Sequence, residues 1–551
     1  MNLFLIDAIG PFFIDYNKRV INWSKIPFVN LETEDRLDEE KLEKITEGFR
    51  RFVREIVKIG YNAITLDDLA HLAIFDFYPA SLRQKLSLYQ DFYRQLFAIA
   101  AEYQLKVFLN TDVIYLNDAI SKQIKTKKTT AWELLTRAVE QVLEQFDIAG
   151  IVFRIGEVDG EDVVGDFKSD MAIKTPQQAN RLIKTLLPLF ERQQKIMIFR
   201  NWTVGSYPIG DLIWNRDTFE KTVEGIDSDC FIVSLKYGDT DFFSRLHLNP
   251  LFIDNPQKMI LELQTRRERE CFGVLPNYVG WEYEKYHEQL KGVKNLVGIS
   301  VWCQTGGWSR NANLTFVENS SIWNELNTLA AIKIFKYGNP ADAVVLQFFK
   351  NDLFLTFLKV FNDIFLDLLY IEDFANKTLY FRRTRIPPLL WLAWDYVTIN
   401  PLMASIYMSF MKEIKVLDES KIEKVYHLGK LLDIENIEYC YDTLRLFLLC
   451  RKTLLGQHES YRLLETIGLF RRKYHPCNFK FAVKKGHAYI LPVKLMFKIF
   501  TRSKPDYRWI DRILLNRVFA FIIYKLIMFF SSERIPKFSN KRAMKLDTLF
   551  K

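Results

Sequence analysis

Short runs of apolar residues recur along the first 335 positions, and each is followed by a polar loop and a longer amphipathic segment. The runs occupy residues 2–10, 62–68, 105–112, 150–157, 195–202, 230–238, 258–265 and 296–304. Continuous apolar runs indicate strands buried on both faces, and the segments between them show the period of helices. Eight strand–helix units in about 330 residues predict a (β/α)8 TIM barrel, an α/β fold.

An open, doubly wound sheet is the alternative arrangement of the same elements. No glycine-rich dinucleotide or phosphate loop follows any of the eight runs, and this favours the barrel. Beyond residue 335 the pattern changes to long, aromatic-rich segments of helical period, such as residues 340–375 and 389–417. We therefore expect a barrel over residues 1–335 and an all-helical C-terminal domain over residues 336–551.

Positive charge is concentrated near the C-terminus. Residues 481–551 contain 16 Lys and Arg against 4 Asp and Glu, so that the rest of the chain carries a net charge of −3 within a total of +9. The segment 508–530 is apolar, but Arg512, Arg517 and Lys525 interrupt it. It is therefore expected to pack within the C-terminal domain, to pair with a second subunit as a homodimer, or to lie on an anionic membrane surface, rather than to span a bilayer. No nucleic-acid-binding module accompanies the charge, so a nucleic-acid partner is not expected.

The cysteines and the first residues bear on cofactors and location. The six cysteines form no CxxC pair and no cluster with histidine at the spacing of metal ligands, so neither a metal nor a cofactor is expected. The start of the chain lacks a basic segment and contains Asp7, which indicates a buried strand rather than a signal peptide. We expect a cytoplasmic protein whose basic tail offers a peripheral contact with the inner membrane surface.

The predicted strand ends are rich in carboxylates, cations and aromatic residues. In a barrel these ends meet at one mouth, where active sites form. Glycoside hydrolysis needs one protonated carboxylic acid, one carboxylate and aromatic faces that hold the sugar. An aldolase or lyase, with Lys236 as its Schiff-base lysine, and a metal-dependent hydrolase remain alternatives. The strand-end residues are Asp67, Asp68, Asn110, Asp112, Glu157, Arg200, Trp202, Lys236, Asp239, Asp241, Glu262, Glu268, Trp302 and Gln304. Of these, Asp67 and Asp68 either line the mouth or cap the following helix, and we favour the cap.

Several of these strand ends resemble those of a known family. The segments "LKYGDTDFFSR" (235–245), "LNPLF" (248–252) and "ILELQTRRERECFG" (260–273) resemble, in this order, the catalytic core of the α-glucuronidases of glycoside hydrolase family 67. "GIVFRIGEVDG" (150–160) and "IMIFRNW" (196–202) are similar to two further strands of that family. The resemblance covers about residues 20–345 and does not include the family's N-terminal β-sandwich.

The resemblance implies a role for five residues. Glu157 matches the general acid, and Asp241 and Glu268 match the pair that positions and deprotonates the attacking water, which inverts the anomeric carbon. Arg200 and Lys236 match the cations that bind the carboxylate of the uronic acid, a charge-assisted contact.

The aromatic residues and one further carboxylate complete the expected site. Trp202, Trp302 and Trp308 are expected as sugar platforms or as core residues, and Glu270 is the alternative to Glu268. The resemblance implies an inverting, α-glucuronidase-like glycoside hydrolase that cleaves an oligosaccharide or polysaccharide containing uronic acid or a related decorated sugar. The alternative is a non-catalytic or repurposed barrel that binds acidic glycan during polysaccharide assembly at a membrane.

Overall fold

The structure is a computed structural model that describes most of the first 370 residues and part of the remainder. The described residues are 1–16, 20–21, 25–33, 36–156, 165–202, 208–213, 215–238, 242–267, 270, 275–304, 307–308, 314–318, 320–370, 391–393, 396–398, 417–454, 466, 469–470, 473–474, 518–519, 522 and 525.

Eight parallel strands close into a barrel. The strands are β1 (Leu3–Asp7), β2 (Ala63–Asp67), β3 (Lys106–Asp112), β4 (Gly150–Arg154), β5 (Ile196–Arg200), β6 (Phe231–Lys236), β7 (Lys258–Gln264) and β8 (Leu296–Trp302). Each strand pairs with its neighbours in chain order, and β8 pairs with β1 to complete the ring. Every strand falls within one of the eight apolar runs, so the predicted (β/α)8 barrel is confirmed.

Amphipathic helices surround the barrel. They are α1 (Glu39–Ile59), α2 (Ala80–Glu102), α3 (Asp118–Lys125), α4 (Ala131–Gln145), α5 (Pro176–Gln193), α6 (Arg216–Val223), α7 (Gly280–Leu290) and α8 (Ile322–Phe335). Thr130 and Thr175 begin α4 and α5 with capping boxes, which satisfy backbone N–H groups at the helix start. The 3₁₀ turn Pro250–Phe252 stands between β6 and β7 in place of a helix.

Apolar side chains fill the barrel interior toward the N-terminal ends of the strands. Side chains of a strand alternate between the inside and the outside of a barrel, and one buried cluster contains inward positions of seven of the eight strands. Its members are Leu3, Leu5, Ala63, Phe108, Val152, Ile198, Ile232 and Ile260. The barrel is therefore a packed core and not a channel.

Two glycines permit the strands to approach closely. A Cβ atom on Gly298 would lie 1.8 Å from the carbonyl oxygen of Leu3, and a Cβ atom on Gly150 would lie 1.9 Å from that of Ile196. Neither distance is possible for a real Cβ atom, so closure at β8–β1 and at β4–β5 requires glycine at both positions.

Contacts divide the chain into two compact units. The barrel unit comprises Met1–Phe242, Leu248–Arg266 and Val279–Ala341. The helical unit comprises Phe243–His247, Arg267–Tyr278 and Asp342–Lys551. Two segments that follow β6 and β7 in the sequence therefore belong, by their contacts, to the helical unit.

Helices dominate the described part of the second unit. They are α9 (Ala341–Phe349), which begins at the boundary, α10 (Asp352–Leu369), α11 (Ser420–Leu431) and α12 (Ile437–Leu454). The last three pack against one another, and Phe365 of α10 stacks on Phe447 of α12. A short antiparallel ribbon joins Trp391–Ala393 to Tyr396–Thr398. No helix in the described part of the chain is long and apolar enough to cross a membrane.

Candidate active site at the barrel mouth

The inward positions change from apolar to polar or aromatic toward the C-terminal ends of the strands. Because the strands are parallel, these ends lie at the same edge of the barrel, the mouth. Alternation from the apolar cluster assigns the last inward position of β1 to β7, and the register of β8 against β7, in which Trp302 pairs with Gln264, assigns that of β8. These positions are Asp7, Asp67, Asp112, Arg154, Arg200, Lys236, Gln264 and Trp302, and all of them are buried.

Arg154 connects two carboxylates of the mouth. Its Nε donates to Oδ1 of Asp112 at 3.1 Å, and its Nη1 lies 3.2 Å from Oδ1 of Asp67. The second oxygen of Asp112 accepts a hydrogen bond from Lys25. The ends of β2, β3 and β4 are therefore held together by alternating charges, and each buried charge has an opposite partner.

Asp67 belongs to the mouth and does not cap a helix. Its Oδ2 accepts the backbone N–H of Ile26 at 2.9 Å. Burial raises the pKa of Asp67 to about 6, although Arg154 opposes this shift. The predicted cap is therefore wrong for Asp67, because the inward period of β2 points its side chain into the barrel.

Asp68 is the residue of this pair that faces the following turn. Its Oδ1 accepts both the backbone N–H of His71, at 3.1 Å, and the ring Nδ1 of His71, at 2.7 Å. The imidazole stacks on Phe28 with ring centroids 3.5 Å apart. Asp68 thus caps a turn, whereas α2 begins only at Ala80.

Asp7 is a mouth carboxylate that the sequence alone did not single out as functional. Its two oxygens accept the backbone N–H groups of Cys303, at 2.5 Å, and of Gln304, at 3.1 Å. Burial raises the pKa of Asp7 to about 6 in spite of these hydrogen bonds. The two-residue period of β1 could have identified Asp7 from the sequence, because it makes Asp7 the next inward position after Leu5.

Arg200 forms a two-pronged ion pair within the mouth. Its Nε and Nη2 donate to the two carboxylate oxygens of Glu262 at 2.9 and 2.7 Å. Ser234 donates to the same carboxylate at 3.2 Å, and the guanidinium lies 4.6 Å from the ring centroid of Trp302. The structure therefore brings together Arg200 and Trp302, two of the residues expected to bind substrate, and adds Glu262 as the partner of Arg200.

Lys236 lies among aromatic rings. Its ammonium nitrogen is 3.5 Å from the ring centroid of Trp202 and 4.3 Å from that of Phe242. Cation–π contacts of this kind fix the position of an ammonium group. Lys236 and Trp202, which follow the neighbouring strands β6 and β5, are therefore in contact at the mouth. Phe242 is a second aromatic contact of Lys236.

Two side chains of the mouth carry polar atoms that form no hydrogen bond with any described residue. Within the described part of the chain, neither amide atom of Asn110 makes a hydrogen bond, and the same holds for Nε1 of Trp302. Asn110 is 1% exposed and Trp302 is 7% exposed. Buried groups without partners are costly unless water or a ligand binds them, so these atoms are hydrogen-bonding positions for a polar molecule.

The three predicted catalytic residues, Glu157, Asp241 and Glu268, lie outside the described residues, as does Asp239. The backbone of Trp308 pairs with Val20 in a two-stranded ribbon, and its side chain is not described. Among the residues that the structure does describe, no group of three or more His, Cys, Asp or Glu side chains is placed to hold a metal ion.

Glu270, the alternative to Glu268, is described and belongs to the helical unit. Its side chain is 0% exposed, and hydrogen bonds from Ser244, Arg267 and Tyr370 reach its carboxylate. A fully enclosed carboxylate that accepts this many hydrogen bonds is held as an internal structural anion. Glu270 is therefore not suited to the role of the water-activating base.

Comparisons with known proteins establish the fold. No family model and no curated protein matches the chain. A family 138 glycoside hydrolase that targets pectin rhamnogalacturonan II has a similar solved structure, with a TM-score of 0.50 and 11% identity over 87% of this chain and 60% of that chain. The chain thus spans about three fifths of that enzyme's length, and the likeness is one of fold.

Two further solved structures with some similarity to this chain are glycoside hydrolases. One is a family 89 enzyme from Clostridium perfringens, with a TM-score of 0.42 and 10% identity over 100% of this chain and 66% of that chain. Another is an O-GlcNAc hydrolase mutant from Thermobaculum terrenum, with a TM-score of 0.37 and 10% identity over 87% of this chain and 93% of that chain.

Proposed function

We propose that the protein is a glycoside hydrolase that acts on a glycan containing uronic acid or a related decorated sugar. The observation that carries the proposal is the replacement of apolar by ionisable and aromatic inward positions at the C-terminal ends of the barrel strands. The resemblance to family 67 and the barrel fold shared with a pectin-directed hydrolase support it.

The proposed reaction is a single displacement with inversion. Glu157 transfers its proton to the glycosidic oxygen as the bond between this oxygen and the anomeric carbon breaks. Asp241 and Glu268 orient a water molecule on the opposite face of the sugar and accept its proton as the new bond to the anomeric carbon forms. Inversion requires about 6.5–9.5 Å between the acid and base carboxyls, so that the water fits between them.

The surroundings of one described cation, Lys236, support an acidic substrate. Lys236 presents an ammonium group beside the ring faces of Trp202 and Phe242, and a sugar needs an apolar platform next to a polar anchor. A uronate carboxylate is the anionic complement of that ammonium. Asn110 and Nε1 of Trp302 provide uncharged hydrogen-bonding positions that suit sugar hydroxyl groups.

One observation favours the second candidate function, a barrel that binds acidic glycan without cleaving it. Three of the described mouth carboxylates are neutralised by cations: Glu262 by Arg200, and Asp67 and Asp112 by Arg154. Carboxylates held in this way contribute to the shape and charge of a binding site rather than to proton transfer.

Product analysis of wild type and matched variants separates the two functions. The variants are Glu157→Gln, Asp241→Asn and Glu268→Gln, with Glu140→Gln, a partly exposed position of α4, as the control. We expect wild type and the control to release uronic acid whose anomer, followed by NMR during the first minutes, is inverted. Each of the three variants should lose at least about a thousandfold in kcat.

Binding measurements complete the test. Calorimetric titration of the inactive Glu157→Gln protein with acidic and neutral oligosaccharides should show a preference for the acidic ligand that Lys236→Met lowers at least tenfold. Cleavage of neutral glycosides alone would contradict the acidic substrate. Binding of acidic oligosaccharide by a wild type that hydrolyses nothing would favour the binding function.

A further inference from the structure

Ser300 lies where the polar mouth of the barrel unit meets its apolar core. The register of the sheet makes Ser300 the Cα partner of Glu262 on β7 and of Leu5 on β1. Paired residues of parallel strands point to the same face of a sheet, and Leu5 belongs to the apolar cluster inside the barrel. The side chain of Ser300 therefore points into the barrel, between a charged neighbour and an apolar one.

Ser300 differs from these neighbours in its exposure to solvent. Leu5 is 0% exposed and Glu262 is 1% exposed, whereas Ser300 is partly exposed. The outer face of β8 is closed at this level, because Ile299 and Val301 point outward and are both 0% exposed. Apolar side chains fill the barrel toward the N-terminal ends of the strands. The exposed surface of Ser300 therefore lies inside the barrel, on the side of the mouth.

The hydroxyl of Ser300 is available to a polar molecule. It forms no hydrogen bond with any residue in the described part of the chain, whereas the hydroxyl of Ser234 donates to Glu262. Trp302 is the next inward residue of β8, and its indole N–H also lacks a partner among the described residues. Two consecutive inward positions of β8 thus provide a hydroxyl group and an N–H donor.

Ser300 and Lys236 stand on opposite sides of Glu262. Lys236 on β6 is the other Cα partner of Glu262, so three neighbouring strands place these residues in one row of the barrel unit. Neighbouring strands lie about 4.8 Å apart, and β6 and β8 are therefore about 10 Å apart. This spacing suits one sugar unit that is held at both ends by side chains. Arg200 pairs with the Glu262 carboxylate through two hydrogen bonds, which offsets the charge that would repel an acidic sugar.

We propose that Ser300 is a specificity-determining residue of the mouth, and that it binds a ring hydroxyl of an acidic sugar unit whose carboxylate lies at Lys236. The sugar then extends across β6, β7 and β8, with this hydroxyl toward the apolar core. A sugar without the hydroxyl cannot form the bond and is bound less well. The inference rests on the proposed function in the acidic nature of the sugar, and it does not require that the sugar is cleaved.

Titration with a monosaccharide measures the contribution of the Ser300 hydroxyl. We expect the dissociation constant of D-glucuronate, followed by NMR, to increase about fivefold to tenfold in Ser300→Ala, the usual effect of one lost hydrogen bond. The control is Ser87→Ala, at an exposed position of α2, which should bind like wild type. Equal affinities of Ser300→Ala and wild type would overturn the inference, and so would a wild type that binds no D-glucuronate.

Deoxy sugars identify the hydroxyl that Ser300 contacts. One of the three analogues 2-, 3- and 4-deoxyglucuronate should bind wild type about as weakly as D-glucuronate binds Ser300→Ala. The same analogue should lose no further affinity in the variant, because the hydrogen bond is already absent. If the affinity losses from the variant and from the deoxy position add for all three analogues, Ser300 contacts no sugar hydroxyl and the inference is overturned.

A cysteine substitution tests whether a sugar covers this position. The thiol introduced by Ser300→Cys should react with a small methanethiosulfonate reagent, and saturating D-glucuronate should slow the reaction at least fivefold. Mass spectrometry of peptides separates this thiol from the native cysteines. Ser87→Cys is the matched control, and its labelling should not respond to the sugar. Labelling of the Ser300 variant as slow as that of Cys303, which is 0% exposed, would overturn the accessible position.

These measurements separate the inference from the proposed function. If Ser300→Ala weakens the binding of D-glucuronate but wild type hydrolyses no glycan, the hydrolase assignment fails and the role of Ser300 stands. If wild type hydrolyses an acidic glycan and Ser300→Ala changes neither the binding of D-glucuronate nor the KM of the glycan, the hydrolase assignment stands and the role of Ser300 fails.

Discussion

At the residue scale, the mouth of the barrel is a set of buried charges in fixed partnerships. Arg200 donates two hydrogen bonds to Glu262, and Arg154 stands between Asp67 and Asp112. Buried ions are tolerated only where each has a partner, so these contacts account for the presence of so much charge inside an apolar barrel. They also make the electrostatics of the mouth sensitive to single substitutions.

Replacement of Glu262 by Gln should destabilise the protein by about 3–5 kcal/mol, because it leaves the Arg200 guanidinium buried without its counter-charge. Urea unfolding followed by tryptophan fluorescence measures the loss. The control is Glu140→Gln, whose partner Arg192 is more than half exposed and for which at most about 1 kcal/mol is expected. Equal losses in the two variants would contradict the buried-pair account.

Asp7 makes the stability depend on pH. Its pKa is raised from 3.8 in the unfolded chain to about 6 in the folded protein, so the folded protein binds more protons between these values. The contribution of Asp7 to the free energy of unfolding therefore falls as the pH rises through that window. Wild type loses this contribution as the pH rises from 4 to 8, and Asp7→Asn does not. The free energy of unfolding of the variant minus that of wild type should therefore increase by about 2 kcal/mol over this range.

Urea unfolding at five pH values across this range measures the Asp7 effect. The variant loses a hydrogen-bond acceptor at every pH, so that only the slope of the difference reports the titration. A difference between wild type and variant that does not vary with pH would show that Asp7 does not titrate in this window.

At the scale of elements, the barrel depends on strands that approach more closely than side chains allow. β8 passes β1 at Gly298, where a Cβ atom would lie 1.8 Å from a backbone oxygen. Backbone atoms in a paired strand have no freedom to move aside. The alternation of inward and outward positions then delivers a polar or aromatic residue to the mouth from each strand.

Gly298→Ala should therefore lower the stability of the protein by about 3 kcal/mol or more, since the β8–β1 pairing must open to accept the methyl group. The matched control is Gly292→Ala, because a Cβ atom at Gly292 has open space around it. Thermal unfolding of both variants tests this. A melting temperature of Gly298→Ala equal to that of the control would contradict the close approach.

At the scale of the whole molecule, the chain combines two compact units. The barrel unit holds the ionised mouth, whereas the positive excess of the sequence lies in residues 481–551, almost all of which are outside the described residues. We propose that this tail contacts an anionic membrane surface, and that the helical unit pairs with a second subunit. A basic amphipathic segment binds such a surface by charge and by its apolar face.

Vesicle sedimentation tests the membrane contact. The variant R512Q/R517Q/K525Q should bind phosphatidylglycerol vesicles about a hundredfold more weakly than wild type, at about 1 kcal/mol for each basic residue. The control removes the same charge from exposed lysines of the barrel unit, Lys122, Lys125 and Lys128. An equal loss of binding in both variants would contradict the membrane contact, and so would a wild type that does not bind the vesicles. If wild type does not bind, a molecular mass that increases with protein concentration would favour packing against a second subunit.

The order of elements follows from the sequence because it depends on local pattern. Apolar runs that alternate with amphipathic segments can bury their surface only as covered parallel strands, so the eight strands and the (β/α)8 closure were predictable. The mouth chemistry was predictable in part for the same reason. Arg200, Lys236, Trp202 and Trp302 stand at strand ends, and the structure places them in two pairs at the mouth.

Tertiary structure alone decided which partner each of these groups has. The pairing of Arg200 with Glu262 joins residues 62 positions apart, and the bond from Tyr370 to Glu270 joins residues 100 positions apart. No local periodicity encodes contacts over such separations. Asp67 divides in the same way, since the two-residue period of β2 assigns its side chain to the inward face, whereas its contacts with Ile26 and Arg154 come from tertiary structure. Sequence pattern thus determined the scaffold, and long-range packing determined its electrostatics.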